Sequence, residues 1–381
     1  MSSDNQTAIE FKGAGLEYFK IWIVNLILSI LTLGIYSAWA TVRKKRYMYG
    51  NTLLEGSSFE YHASPITILK GRLIAVALFI VYTVVSQVSP EAAIIFIPIL
   101  IVASPWIIWR SIKFNAKISS FRNVRFGFEG ALSKSYLYFL VIPFLLPFLL
   151  LPLVGSSILT IFSGSFEESF LIMFAVGYLA FILLIPFIKK ITMDYYINNH
   201  RYGQGSFSTT LLTSKFYAIY GIFILAVIGV GIVTSIVMGL FLGGIETVFE
   251  QGPAPEAVMS IVFVVYLLLF IIMFWSKAYL ATRVRNYVYA NTKLDGEIQL
   301  GSSLEVMPFF WIYLNNFLLI LLTLGLAYPW AVIRVTKYTV ETISVANTDH
   351  LEQFISQQQE QQSALGDEMG DVFDVDTGID F

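Results

Sequence analysis

NLILSILTLGIYSAWATVRKKRY, residues 25–47, returns near the other end of the chain as NFLLILLTLGLAYPWAVIRVTKY, residues 316–338. Asn25, Gly34, Trp39, Arg43 and Tyr47 fall on Asn316, Gly325, Trp330, Arg334 and Tyr338 at a constant offset of 291. A repeat at fixed offset requires both ends of the chain to be given the same local fold. A looser unit recurs between them: a basic and aromatic stretch, an Asn, a nearby Gly and a short alternating segment. NTLLEGSSFEY, NVRFGFEG, NHRYGQGSF and NTKLDGEIQL, opening at Asn51, Asn123, Asn199 and Asn291, are its four copies. Asn and Gly tolerate left-handed backbone, so each copy predicts a turn followed by a short strand.

The 381 residues are 56% hydrophobic and 13% charged, against about 25% charged in soluble domains. Runs such as Tyr136 to Phe162, Phe170 to Ile188, Tyr217 to Leu242 and Val258 to Trp275 hold no charge, and roughly 20 such residues cross a bilayer. The polar start MSSDNQTAIE is not expected to be a secretory signal. The chain has no cysteine, which removes disulfides, thiolate metal sites and thiol catalysis.

Six long spans are expected near 72–88, 92–109, 136–162, 169–188, 216–242 and 257–276, paired as three hairpins. Their flanks at 40–72, 110–135, 189–215 and 277–306 hold 6, 6, 4 and 4 Lys plus Arg, and the turns between paired spans hold none. Lys and Arg set orientation, so the basic segments are expected to be cytoplasmic. The terminal segments 18–40 and 309–331 then conflict with simple crossing, because both flanks of each carry the cytoplasmic pattern. A hairpin that enters and leaves on one side resolves this, with Gly34 and Gly325 at the bends and Asn25 and Asn316 satisfying bent backbone. The expected fold class is therefore an all-α polytopic membrane protein: six long transmembrane helices, two re-entrant or short terminal hydrophobic hairpins, and small cytoplasmic β-strand elements. Eight simple transmembrane helices are the alternative.

Residues 1–346 form the expected membrane domain, and 347–381 an acidic, Gln-rich cytoplasmic tail. That tail carries nine acids and no Lys or Arg; taking them from the formal charge of −2 leaves +7 on the rest. QQQEQQ within it is not expected to pack, and insertion is not expected to need the tail. MGDVFDVDTGIDF sets Phe373 and Phe381 among Asp374, Asp376 and other acids in the manner of a binding peptide.

EYFKIWIVNLILSILTLGIYSAWATVRKKRYMYGNTLLEG, together with the ending GDVFDVDTGIDF, resembles the YjgN family of bacterial inner-membrane proteins, a family defined by a domain of unknown function. The resemblance runs almost end to end. It implies a multi-pass protein of the bacterial inner membrane with both termini cytoplasmic by the charge pattern above. It also implies an association with a membrane metallopeptidase, because family members are often encoded beside one. It supplies no activity and no catalytic residues.

The residues themselves offer little chemistry. His62, His200 and His350 sit in separate segments and HExxH is absent, so no metal is expected. There is no G-x-S-x-G elbow and no phosphate-cradling glycine loop. The long spans carry no central ionisable residue, which disfavours coupled transport; Asp194 follows Lys189 and Lys190 and reads as an interfacial ion pair. Arg43, Lys44, Lys45 and Arg46, with Arg122, Arg125, Arg283 and Arg285, are candidate contacts for phospholipid headgroups, or else ordinary positive-inside anchors. The expected function is non-enzymatic: a lipid-interacting or scaffold protein, with a channel or uncoupled facilitator, or an accessory subunit of the metallopeptidase, as alternatives. No cofactor and no nucleic-acid partner are expected.

Overall fold

The structure is a computed structural model, and it describes residues 6–147, 166–241 and 255–370. Its helices are α1 (Gly15–Leu31), α2 (Ser37–Gly50), α3 (Pro65–Val88), α4 (Pro90–Lys117), α5 (Leu132–Tyr136), α6 (Phe166–Asn198), α7 (Thr213–Phe241), α8 (Pro255–Ala290), α9 (Val306–Leu322), α10 (Tyr328–Glu341) and α11 (Thr348–Gly370). α5 runs on as a π-helical stretch, Leu137–Leu145, that contains Pro143. Between the helices lie β1 (Gln6–Ala8), β2 (Glu10–Phe11), β3 (Thr52–Leu54), β4 (Ser57–Tyr61), β5 (Ser119–Phe121), β6 (Val124–Phe128), β7 (His200–Tyr202), β8 (Gly205–Thr209), β9 (Thr292–Leu294), β10 (Ile298–Ser302) and β11 (Ile343–Ala346).

Local chemistry starts each hairpin. Asn51, Asn199 and Asn291 end α2, α6 and α8 by donating from Nδ2 to the carbonyls of Tyr47, Tyr195 and Tyr287 at 2.7–2.8 Å. The turns that follow use left-handed pairs: Glu55 and Gly56 at φ 49° and 75°, Arg122 and Asn123 at 47° and 65°, Asp295 and Gly296 at 52° and 76°. Such pairs match the twist of the flanking strands. Asn123 thus takes the left-handed turn expected of each copy and is followed by β6, whereas Asn51, Asn199 and Asn291 stand at helix ends, with a strand between each of them and its turn.

The strands form a single antiparallel sheet in the order β1-β11-β10-β9-β8-β7-β6-β5-β4-β3-β2. Its two ends are one stretch of chain. β1 pairs with β11 through Thr7↔Val345, β2 pairs with β3 through Glu10↔Leu53, and only Ile9 separates them. Ile9 N donates to Ile343 O at 3.0 Å and Lys12 N to Asn51 O at 2.9 Å, so residues 6–12 seam the first hairpin to the last strand. The sheet closes into a barrel-like ring, which removes its edges.

Alternation fills the ring. Leu54, Phe121, Val124, Tyr202, Leu294, Ile298 and Val345 are buried in one cluster, with Phe59, Phe126 and Phe207 against them. All four hairpins leave helix ends and return to them, so their turns share the rim away from the helices, and α11 lies against that rim. Leu351, Phe354 and Ile355 join the ring cluster, Gln358 Oε1 accepts from Gln204 N at 2.7 Å, and Gln359 Nε2 donates to Arg122 O at 2.7 Å. A Cβ on Gly203 would stand 2.4 Å from Gln358 Oε1, and one on Gly205 2.4 Å from Phe354 Cζ, so both positions need glycine for α11 to seat.

Three expectations are overturned here. The chain is not all-α with minor strands: the sheet has eleven strands, each of two to five residues, too short for hydrophobic periodicity to register in a sequence window. Nor do six or eight helices qualify as spans. Among the described residues, four are long and apolar enough to cross a membrane, within Pro65–Val88, Phe96–Lys117, Thr213–Gly239 and Val262–Ala290. The expected span 136–162 opens as the short α5 and its π-helical continuation, and then leaves the described residues, as does the end of 216–242. QQQEQQ, expected not to pack, forms part of α11, because the Leu351, Phe354, Ile355 and Gln358 stripe gives one side of that helix an apolar seat. The tail motif with Phe373, Asp374, Asp376 and Phe381 lies outside the described residues.

The terminal repeats have matching geometry. Leu33 and Gly34 take φ 49° and 90° between α1 and α2; Leu324 and Gly325 take 49° and 95° between α9 and α10. Thr32 and Thr323 each donate a hydroxyl four residues back, to Leu28 O and Leu319 O, and accept from Tyr36 N and Ala327 N at 2.9 Å. The neighbouring segments therefore double back.

If α11 is a built part of the ring core, Phe354→Ala lowers unfolding stability by about 3–5 kcal/mol, the usual cost of truncating a buried Phe. A thermal or denaturant unfolding curve indistinguishable from wild type would mean that the helix is only loosely laid on the rim.

Candidate functional site

The described residues bring together no group of three or more His, Asp or Glu able to hold a metal ion. One cluster has the residue types of a hydrolytic triad. His62 Nε2 lies 2.7 Å from Ser120 Oγ, and Ser120 Oγ donates to Glu60 Oε2 at 3.0 Å. Glu60 also approaches the same imidazole nitrogen, at 3.3 Å. A triad needs the carboxylate on the other ring nitrogen, orienting the base. Here the carboxylate takes the serine proton itself, and the cluster serves as a cross-strand polar tie.

The concave features lie where the ring meets the helices. One cavity, of about 450 Å³, occupies the ring interior and is walled by Leu54, Phe59, Phe121, Phe126, Phe207 and other apolar side chains, with Met193, Tyr196 and Tyr289 at its helix end and Leu351 of α11 among its lining residues. A second, of about 680 Å³, shares Phe59, Phe126, Tyr196 and His200 with the first and adds Lys45, Tyr49, Ser111 and Asn115. A third, of about 390 Å³, lies between α6, α7 and α8 beside Lys189, Tyr220 and Arg285. It shares Met193, Val288 and Tyr289 with the ring cavity.

On the helices cations sit on aromatic rings, and of these cations Lys45 and Arg285 line a cavity. Lys44 lies 5.8 Å from the Tyr328 ring and 3.5 Å from its hydroxyl; Lys45 lies 4.9 Å from the Tyr61 ring and donates to Asn115 at 3.0 Å. Arg110 covers Trp106 at 5.3 Å, Lys113 covers Trp109 at 5.1 Å, Lys277 covers Tyr313 at 4.3 Å, Arg283 covers Tyr279 at 6.0 Å and Arg285 covers Tyr289 at 5.2 Å. Arg43 donates to Tyr36 Oη at 3.1 Å and Arg46 to Ala63 O at 3.4 Å. Among the described residues none of these cations has a carboxylate partner.

The candidate headgroup residues thus divide. Arg43, Lys44, Lys45 and Arg46 stand in the middle of α2, and Arg283 and Arg285 in the last two turns of α8. Arg122 stands on the opposite rim, paired with Glu55 at 3.2 Å and Glu352 at 3.8 Å, and Arg125 is exposed on β6. Asn316 Nδ2 donates to Ala331 O at 3.2 Å and its Oδ1 accepts from Arg334 at 3.1 Å. Asn25 is equally buried, and its Oδ1 has no partner among the described residues. Asp194 is ion-paired to Lys190 at 2.6 Å. Sequence reasoning missed the cavity walls altogether. Their signal was the alternation of Phe59 with Tyr61 and of Val124, Phe126 and Phe128, carried by strands of five residues.

His200 opens β7 with its Nδ1 2.6 Å from Tyr196 O and its ring centroid 4.1 Å from that of Tyr196. Burial pushes its pKa below the ordinary 6.5. In the unfolded chain the imidazole protonates first as pH falls, so this contribution is complete above 6.5 and declines below it. The melting temperature accordingly drops between pH 7.5 and 5.5, and His200→Gln reduces that drop; an identical drop in the variant would show that His200 does not couple to folding.

Residues 6–372 match the family described as "Bacterial protein of unknown function (DUF898)". The chain is 27% identical over 368 residues to inner membrane protein YjgN of Salmonella typhimurium, covering 92% of each. It is 32% identical over 146 residues to inner membrane protein YjgN of Escherichia coli K12, covering 37% of this chain and 34% of that protein, and 30% identical over 137 residues to the one from strain O157:H7, covering 36% and 34%. No solved structure matches the chain. By a match that spans nearly its whole length, the chain belongs to the DUF898 family of bacterial proteins of unknown function.

Proposed function

We propose that this chain is a non-enzymatic inner-membrane protein that holds anionic phospholipid at the junction between its helices and its strand ring. The observation that carries the reading is the band of Arg43, Lys44, Lys45, Arg46, Arg110, Lys113, Lys277, Arg283 and Arg285, whose polar partners are rings, hydroxyls, carbonyls and one side-chain amide. Most of these cations are exposed, where an anionic headgroup can reach them. Among the described residues none of them has a carboxylate partner, whereas Arg122 and Arg201 pair with Glu55 and Glu129, and Lys190 and Lys337 pair with Asp194 and Glu341 one turn away. Next to the band, α3 and α7 turn Ile74, Phe79, Ile222 and Leu225 outward, an apolar surface that suits acyl chains.

The charge pattern supports placing the ring on the cytoplasmic side, since Lys and Arg concentrate in the flanks that carry the hairpins. Each basic residue near an anionic leaflet contributes about 1 kcal/mol. Changing the exposed or edge members Arg43, Lys44, Arg46 and Arg283 to Gln reduces the anionic phospholipid that copurifies with the protein, several-fold by lipid mass spectrometry. A variant that folds and retains the wild-type lipid complement would leave these residues as anchors only, and would remove the proposal.

A further inference from the structure

The ring cavity and the small cavity beside it are both largely apolar and share a wall, and the small one adds two cations. Lys189 and Arg285 line the outer one; Met193, Val288 and Tyr289 line both. Met193 follows Lys189 by four residues on α6, and Val288 and Tyr289 follow Arg285 by three and four on α8. Helical spacing therefore sets each cation one turn from the apolar passage, on the same face. Neither cation has an acidic partner among the described residues: Asp194 is taken by Lys190, Arg285 Nη2 donates to Thr339 O, and Arg285 Nε is buried without a partner.

Inside the ring three polar groups are already satisfied by protein. Tyr202 Oη donates to Phe121 O at 2.9 Å, Thr292 Oγ1 to Val288 O at 2.7 Å, and His200 Nδ1 meets Tyr196 O. What faces the space is apolar. A peptide or polar solute would bring donors and acceptors that this wall leaves unpaired. The volume of about 450 Å³ falls within the roughly 300–1,000 Å³ of small-ligand sites. Strands enclose it laterally and α11 seats on the far rim, so its helix end, where Met193 and Tyr289 stand, is the side it shares with the outer cavity.

We propose that the two cavities form one site for a single acyl chain ending in an anion, a free fatty acid or a monoacyl phospholipid, with the chain in the ring and the anion at Lys189 and Arg285. This deepens the lipid reading above and rests on it. It is a different locus from the exposed band, and a test can separate the two.

The full chain, delipidated and held in a detergent with a rigid steroid tail, is titrated with a fluorescent polyene fatty acid and with its uncharged methyl ester. Saturable binding is expected, with the acid favoured about tenfold and that preference lost in Lys189→Gln/Arg285→Gln. Because the chain lacks cysteine, Met193→Cys supplies a single thiol at the passage whose labelling by a maleimide is slowed by the fatty acid. This readout keeps the site testable where the double variant does not fold. Displacement by monoacyl phosphatidate at lower concentration than by unlabelled fatty acid assigns a phosphate head; the reverse order assigns a carboxylate. Equal binding of acid and ester, or labelling of Met193→Cys unaffected by saturating acid, overturns the proposal. If the copurifying phospholipid still falls on neutralising the exposed band, the broader lipid reading survives that failure; if neither changes, both are lost.

Discussion

Residues 6–12 hydrogen-bond to β11 on one side and to β3 and the end of α2 on the other, and the architecture depends on that double attachment. A lone two-stranded hairpin is marginal in water. Four such hairpins, spaced along the chain by long apolar helices, gain stability only by pairing laterally. An open row would expose two edges, and closure supplies a partner to every hairpin at once. It also fixes the helices, since each hairpin is tied to the ends of the helices that flank it.

Closure has a second effect. It converts the apolar faces of the strands into the wall of a chamber instead of one side of a flat sheet. Phe59, Phe121, Phe126 and Phe207 point inward from successive hairpins, and α11 covers the rim with Leu351, Phe354 and Ile355. The helix-side mouth is treated differently. There the wall passes into tyrosines, His200 and cations without a carboxylate partner among the described residues, a gradient from apolar to cationic in the order of groups along an anionic amphiphile.

What the sequence disclosed and what it hid divide along physical lines. The repeat at offset 291 carried the two bends, because a left-handed Leu-Gly pair and a Thr bonded both ways need particular residues that recur visibly. The asparagines of the four copies read alike, yet only Asn123 takes the left-handed turn; Asn51, Asn199 and Asn291 end helices, because asparagine suits a helix terminus as well as a hairpin turn. The ring was not legible. Strands of two to five residues supply one or two inward side chains each, and closure is a relation between residues 6–12 and 343–346 that local pattern does not encode. The charge pattern grouped Arg122 with the cations of α2 and α8; that it belongs to the other rim follows only from the pairing of β5 with β6.

Closure itself is measurable by paired cysteines at the two seams, Thr7→Cys with Val345→Cys and Glu10→Cys with Leu53→Cys, in a chain that otherwise has none. The account predicts that both pairs oxidise to disulfides in the same four-cysteine protein in membranes, because one segment serves both neighbours simultaneously. Formation of either disulfide only at the expense of the other would contradict a closed ring.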